Sequence, residues 1–382
     1  MEKIYRLRNQ VKNYEWGSTH LIPDFLDIEN TKGIPYAELW MGTNKSAPSQ
    51  AEINGSLTDL KELSGDLPFL LKLLGVEKSL SIQAHPNKEQ AEEGFMREEE
   101  ANLGLNAPTR NYKDPNHKPE VLCALSEFTL MAAFRKPADI YSSLYEFIFV
   151  IPQLKEIINP LFNALNADLF QVFFRILYNY SALELEYITN LIMEIQIDKT
   201  GNGISQQQWS LMKKFAQTNP GEAAVLSPLY LNIFNLKPGQ AIYIPAGILH
   251  SYLSGIGVEL MANSDNVLRG GLTPKFIDIP ELMNILTFNP YLPQVTTPDS
   301  SPWFYYQTPC DDFYLYYMRS EGHEQVFPGK GAKSGHAICI VTEGILYTQG
   351  MQFKKGESFF IPQGEQVNFK GNFSLFAAIA GV

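Results

Sequence analysis

The sequence predicts a mainly β protein with an α-helical insertion: two double-sheet barrels plus a helical domain. Three observations carry that prediction. Up to about residue 136, short apolar runs such as Ala37-Glu-Leu-Trp-Met-Gly42 and Leu67-Pro-Phe-Leu-Leu-Lys-Leu-Leu74 alternate with Gly, Pro and Asn, the texture of strands and turns. From about 137 to 224, apolar residues recur every three or four positions in ADLFQVFFRILYNY and ALELEYITNLIMEI, the period of helices, and β texture then returns to the end of the chain. Finally, Leu236-Lys-Pro-Gly-Gln-Ala-Ile-Tyr-Ile-Pro-Ala-Gly-Ile-Leu-His250 aligns without gaps on Phe353-Lys-Lys-Gly-Glu-Ser-Phe-Phe-Ile-Pro-Gln-Gly-Glu-Gln-Val367. A Gly turn, a short strand and a Pro-x-Gly turn make one corner of a double-sheet barrel.

Within the first segment, NKEQAEEGFMREEEAN has helix-forming composition and an acidic start that suits the helix dipole. The helical block opens with ADIYSSLYEFIFVIPQLKEIINPLFNAL, and DKTGNGISQQQ (198–208) reads as a loop between its last helices. The block need not split the chain into unrelated folds, because β segments on both sides of an insertion can share one domain. The expected domains are 1–136 with 225–296, 137–224, and 297–382. The repeated turn resembles the second sequence motif of the cupin superfamily, whose members are jelly rolls. In that motif the residue three past the second Gly is a metal-binding His. The first copy has His250 there and the second has Val367, so the resemblance implies two cupin-like barrels of which the C-terminal one lacks metal ligands.

Length and composition set outer limits. A chain of 382 residues suggests two or three domains and buries sizeable cores without staples. Three cysteines, Cys123, Cys310 and Cys339, are odd in number and too scattered for a Cys-based zinc site, which fits a reducing cytosol. MEKIYRLRNQVKNYEWG has no apolar core for a signal peptide, and the run around YEFIFVIPQL is too short and Pro-interrupted to span a bilayer, so a cytoplasmic protein off the membrane is expected. The net charge of −11, with no basic stripe, excludes a nucleic-acid partner. Any anionic substrate must find its cations locally.

Candidate metal ligands come from a few positions. In Ser81-Ile-Gln-Ala-His-Pro86, Gln83 and His85 are two apart, and in a strand both point to one face. Glu120 in His117-Lys-Pro-Glu120 and His250 complete a mixed nitrogen–oxygen set that suits a borderline divalent ion such as Zn2+. Read singly, Gln83 suits a hydrogen-bonded strand residue, His85 a core histidine and Glu120 a solvated turn.

The context of these residues resembles the type I mannose-6-phosphate isomerase family. The matching segments are Asn13-Tyr-Glu-Trp-Gly17, Ala37 to Gly42, Leu80 to Pro86, Asn111-Tyr-Lys-Asp-Pro-Asn-His-Lys-Pro-Glu120 and Gly257-Val-Glu-Leu-Met-Ala-Asn-Ser-Asp-Asn-Val-Leu-Arg-Gly-Gly-Leu-Thr-Pro-Lys275. They follow the family's order and cover the β segments to about residue 290. The cupin turn usually continues to an Asn where this chain has Ser254. The resemblance implies one zinc per chain on Gln83, His85, Glu120 and His250, and a sugar phosphate as substrate. It also implies interconversion of mannose 6-phosphate and fructose 6-phosphate, with His117 and Lys118 in ring opening and proton transfer. A monomer is expected.

That reaction needs a base between C1 and C2, an electrophile for the enediolate oxygens and cations for the phosphate. Arg269 and Lys275 in NVLRGGLTPK can hold a phosphate or oxyanion. Ser81 shares the strand face of Gln83, and Lys72, expensive to bury without an anion, is placed with it at the phosphate end, though a structural ion pair serves Lys72 equally. Trp16, with Tyr14 and Trp40, walls the sugar pocket or packs in a barrel core. The base is Lys118 or Glu259, and the sequence does not choose. Two other readings stay open. Two His and a carboxylate also suit an Fe(II) dioxygenase, although Gln83 as fourth ligand leaves fewer positions for O2. A non-catalytic sugar-binding cupin leaves Lys118, Glu259 and Arg269 without work. A fused nucleotidyltransferase is excluded by the lack of a Gly-rich phosphate loop followed by Lys.

Overall fold

The computed structural model describes residues 4–166, 169–196, 203–328 and 333–381. Among them strands predominate and most helices are grouped in one block; the first segment holds two short helices, Leu21–Leu26 and Leu60–Ser64, besides the one expected, and Ile279–Ile285 follows the block. The site is organised by one long strand, His250–Ala262. Its first part pairs with Phe128–Phe134 and, at His250, with Gln83; its second part pairs with Phe69–Val76 and Glu120–Ala124. Between Tyr252 and Ser254 the register slips, leaving Leu253 as one extra residue. The slip matters because side chains alternate faces: His250 and Glu259 are an odd number apart and would point oppositely in a regular strand. With the bulge, both face the same interior. Gly255 follows with φ of +123°, and a Cβ built there lies 2.6 Å from the Glu127 carbonyl. The strand therefore turns its corner where no side chain fits.

The two faces of these strands serve different neighbours. Leu74, Val76, Leu122, Ala124, Ile242, Ile244 and Tyr252 face inward with Phe128 and Leu130. Alternate residues on the other face, Leu71, Leu73, Val121, Val258 and Leu260, pack against Phe313, Leu315, Ile338, Ile340 and Phe376 of the C-terminal segment. At about 25 cal/mol per Å2 of apolar area, such layers supply the main drive for joining the two sheets. The C-terminal sheet is not built from the C-terminal segment alone. Tyr5–Arg8 pairs with Ser358–Ile361 (Tyr5 opposite Phe360), and Gln50–Ile53 and Ser56–Asp59 extend it.

The two copies of the repeat have the same local form. Gly239 and Gly356 have φ of +84° and +86°, Gly247 and Gly364 have φ of +76° and +82°. The strands between them, Ala241–Ile244 and Ser358–Ile361, occupy equivalent positions. Left-handed φ explains why all four are Gly. Val367 is buried among Phe327, Phe353, Phe359 and Phe369, so the second copy has an apolar interior where the first has His250.

The expected first helix is Lys88–Glu100, opened by an Asn87 capping box with Gln90. The helical block comprises Pro137–Val150, Lys155–Asn166, Phe170–Tyr178, Ala182–Glu194 and Gln206–Thr218. It runs past the expected end at 224, through short turns Ala223–Leu226 and Ser227–Tyr230, because the Pro at 228 suits a first helical turn. Of the loop expected over 198–208, residues 198–202 lie outside the described residues; Ser205 then caps the last long helix, which starts earlier than expected, at Gln206. The block shares one apolar cluster with Ile82, Ala84, Leu249 and Leu268, so it packs on the strands that carry the candidate ligands. No helix among the described residues is long and apolar enough to cross a membrane.

The corner at Gly255 generates a test. Gly255→Ala is expected to cost about 2–4 kcal/mol in urea unfolding, since both φ and the Glu127 contact oppose a side chain. An unchanged midpoint would contradict the tight corner.

Candidate metal centre

His85, Glu120 and His250 converge, with one ligand atom from each within 4.8 Å of the others. Glu120 sits between the rings: Oε1 is 3.3 Å from His85 Nε2, and Oε2 is 3.3 Å from His250 Nε2. Each ring is fixed from behind. His85 Nδ1 donates to the Asn266 carbonyl at 2.7 Å, and His250 Nδ1 donates to the Ile248 carbonyl at 2.9 Å. With Nδ1 carrying the proton, each Nε2 presents a lone pair inward, and neither Nε2 has a hydrogen-bond partner although both are buried. Two orphaned imidazole nitrogens facing a buried carboxylate fit a divalent metal, which repairs all three at once.

The electrostatics agree. Burial, followed by the Lys118 charge, pushes His85 down to about 4 against the pull of Glu120, so it is neutral at pH 7. Burial by itself raises Glu120, but Lys118 and the imidazoles more than offset it and hold the carboxyl well below its usual range. Lys118 Nζ lies 3.0 Å from Glu120 Oε1, and the Tyr252 hydroxyl donates to Oε2 at 3.2 Å. Gln83 lies opposite both His250 and Arg269 in the ladder. Residues directly opposite share a face, so Gln83 and Arg269 are on the side of His250.

The remaining expected residues fall into two groups. Arg269 is half-buried, burial lowers its pKa, and among the described residues it has no carboxylate partner. Lys275 is exposed; partial burial lowers its pKa, and Arg269 and Lys113 push the same way, so the three cations share one region. Ser81 is half-buried just before the Ile82–Ala84 strand. Lys72, by contrast, spends its charge inside the sheet, 3.1 Å from Glu259 and 3.6 Å from Glu38. Burial opposes its charged form, and the two carboxylates overcome that and raise its pKa. Trp40, opposite Lys72, donates to Glu38 and is buried. Trp16 stacks on Tyr14 at 5.9 Å and packs against the inward-facing cluster. His117 Nε2 donates to Asp312 of the C-terminal segment at 2.8 Å.

Sequence reading missed four residues that shape the site. Asn266 not only receives His85 but also ties down the preceding loop: its amide accepts from the Lys113 N–H and donates to the Asp114 and Asn116 carbonyls. Glu38 is the partner that Lys72 demanded, and its signal was available as the one charge in Ala37-Glu-Leu-Trp-Met-Gly42. Tyr252, two residues beyond His250, follows from strand periodicity. Asp312 left no readable signal.

The chain is similar to known proteins over nearly its whole length. Residues 4–137 match the family model described as phosphomannose isomerase type I, catalytic domain. The mannose-6-phosphate isomerase of Escherichia coli (strain K12) is 33% identical over 392 residues, covering 97% of each chain. That of Homo sapiens is 32% identical over 417 residues, covering 96% of this chain and 95% of its own. A solved mannose 6-phosphate isomerase bound with zinc and yttrium superposes with a TM-score of 0.87 at 32% identity over all of both chains. The Salmonella typhimurium enzyme, solved with substrate (f6p) and a zinc atom, gives 0.88 at 33% identity over all of both chains. With its buried His85–Glu120–His250 centre and kinship over nearly its full length, the chain belongs to the mannose-6-phosphate isomerase family.

Proposed function

We propose that this chain is a zinc-dependent isomerase that interconverts mannose 6-phosphate and fructose 6-phosphate by moving a proton between C1 and C2 through an enediol. The observation that carries the reading is the pair of buried, unpartnered imidazole nitrogens around Glu120. His85, Glu120 and His250 would hold the zinc, with the amide of Gln83 as a fourth ligand from the same strand face. Zinc, when bound, supplies a Lewis acid beside the sugar oxygens.

The chain's own residues then divide the work. Arg269 and Lys275, with Lys113 nearby, form the cationic end that takes the phosphate, and Ser81 adds a hydroxyl on that strand. Lys118, against the ligand carboxylate, carries the proton between C1 and C2. Glu259 is the rival base; burial raises its pKa, but Lys72 holds it in the sheet wall, which suits a strut. Lys72 belongs to that strut. His117, whose Nε2 is committed to Asp312, leaves Nδ1 for ring opening, and Trp16 walls the sugar. Every one of these groups comes from one chain, so a monomer suffices, and three free buried cysteines suit the cytoplasm. For the fold, two cupin-like jelly rolls are supported by the shared glycine geometry of the repeat and by the strand that passes from one sheet to the other. We assign 1–136 with 231–296 to the metal-bearing unit, 137–230 to the insertion and 297–382 to the second unit, which borrows strands from the N-terminal segment.

The direct test is conversion of mannose 6-phosphate to fructose 6-phosphate, with exchange of the C2 proton into solvent, before and after chelation and zinc return. Loss on chelation and recovery with zinc are expected; no exchange by the zinc-loaded protein sinks the reading. Lys118→Met is expected to lower kcat at least about 100-fold, the usual scale for a general base. Near-full turnover in Lys118→Met with loss in Glu259→Gln would move the base to Glu259.

A second prediction concerns pH. The folded pKa of His85, about 4, lies below the ordinary value of 6.5, so between these limits the unfolded chain binds more protons. Metal-free protein should therefore lose stability as pH falls from 6.5 to 4, by on the order of 3 kcal/mol. Urea unfolding of His85→Gln should show that slope flattened; an unaltered slope would place the titration elsewhere.

A further inference from the structure

We propose that Tyr178 and Glu222 of the helical block are positioning residues that clamp the backbone after Arg269 and so aim its guanidinium at the substrate phosphate. This rests on the reading of Arg269 as a phosphate ligand, and it gives the insertion a task in catalysis.

Among the described residues, strand Leu268–Gly271 pairs with Ile82–Ala84 alone. Its other edge has carbonyl and N–H groups with no strand to take them, and buried groups of that kind need partners. The helical block supplies them. The Tyr178 hydroxyl, at the end of helix Phe170–Tyr178, donates to the Gly270 carbonyl. Glu222, in the turn before Ala223–Leu226, accepts the Leu272 N–H at 2.6 Å, and Asn219 steadies its other oxygen at 3.1 Å. The Tyr230 hydroxyl, at 3.3 Å, backs Tyr178.

The clamped backbone is one that few sequences tolerate. Gly271 has φ of +135°, and a Cβ there would run into the Ala224 side chain. Leu272 has φ of +54°, a left-handed conformation that a branched side chain resists. Such a segment holds its shape only where its surroundings over-determine it. What the segment presents is Arg269: half-buried, opposite Gln83, on the face of His250 and unpaired among the described residues. An arginine without an anion gains from being held where the anion arrives, because ordering it beforehand removes a cost of binding.

The experiment compares Tyr178→Phe, Glu222→Ala and Arg269→Ala in the zinc-loaded full chain. It reads KM for mannose 6-phosphate and Ki for inorganic phosphate as a competitor, with thermal melting alongside. Tyr178→Phe and Glu222→Ala should each raise KM and Ki about five- to tenfold, the worth of one hydrogen bond. Glu222→Gln keeps an oxygen that can accept the Leu272 N–H and should restore both. On the Arg269→Ala background neither change should raise them further, since the clamp acts through that side chain. Full additivity there would mean a structural role and overturn the clamp. Raised constants in Arg269→Ala with unaltered ones in Tyr178→Phe and Glu222→Ala would overturn the clamp alone. Unaltered constants in Arg269→Ala would overturn the phosphate reading and the clamp with it.

Discussion

Glu120 is a buried carboxylate set between two imidazole nitrogens that have no hydrogen to give it. Burying such a charge costs several kcal/mol unless cations answer it. Lys118 answers in part, and a divalent metal answers the rest while using both lone pairs. Much of the surrounding structure maintains this arrangement. Asn266 and Ile248 lend carbonyls so that Nδ1, rather than Nε2, carries each proton. The extra residue at Leu253 keeps both ends of the long strand facing inward. The outer face of that strand packs on the C-terminal sheet, which backs the wall behind the ligands with a second apolar layer.

A second set of charges, Glu38, Lys72 and Glu259, lies in the neighbouring strands. Lys72 and Glu259 are directly opposite in the ladder, a position where opposite charges stabilise a pair. This set pairs within the sheet, whereas Arg269 and Lys275 have no carboxylate partner among the described residues. The contrast separates cations paired within the scaffold from cations with no carboxylate partner among the described residues, in a chain whose net charge is −11.

The His85–Glu120–His250 group was legible in the sequence because metal geometry and strand periodicity leave local traces. Gln83 and His85 share a face by spacing, and His250 follows a turn whose second copy, with Val367, shows the alternative. The helix at Lys88–Glu100 was legible through its cap and composition. Lys72 was legible as a problem, a lone cation in an apolar run, but not as a solution, because its partners Glu38 and Glu259 lie on other strands. The same holds for Tyr5–Arg8 and Gln50–Ile53, which join a sheet formed some 300 residues later and carry no sign of that pairing. Asp312 and the Tyr178 and Glu222 contacts likewise depend on elements meeting in space. Long-range pairing, rather than local propensity, is what the sequence conceals.

The most direct test of the metal centre is X-ray absorption at the zinc edge on purified protein, paired with metal analysis of Glu120→Ala. One zinc per chain, bound by two imidazoles and oxygen ligands without sulfur, is the predicted result, with zinc lost from a folded Glu120→Ala. Sulfur ligation, or full zinc content in Glu120→Ala, would contradict the centre described for His85, Glu120 and His250.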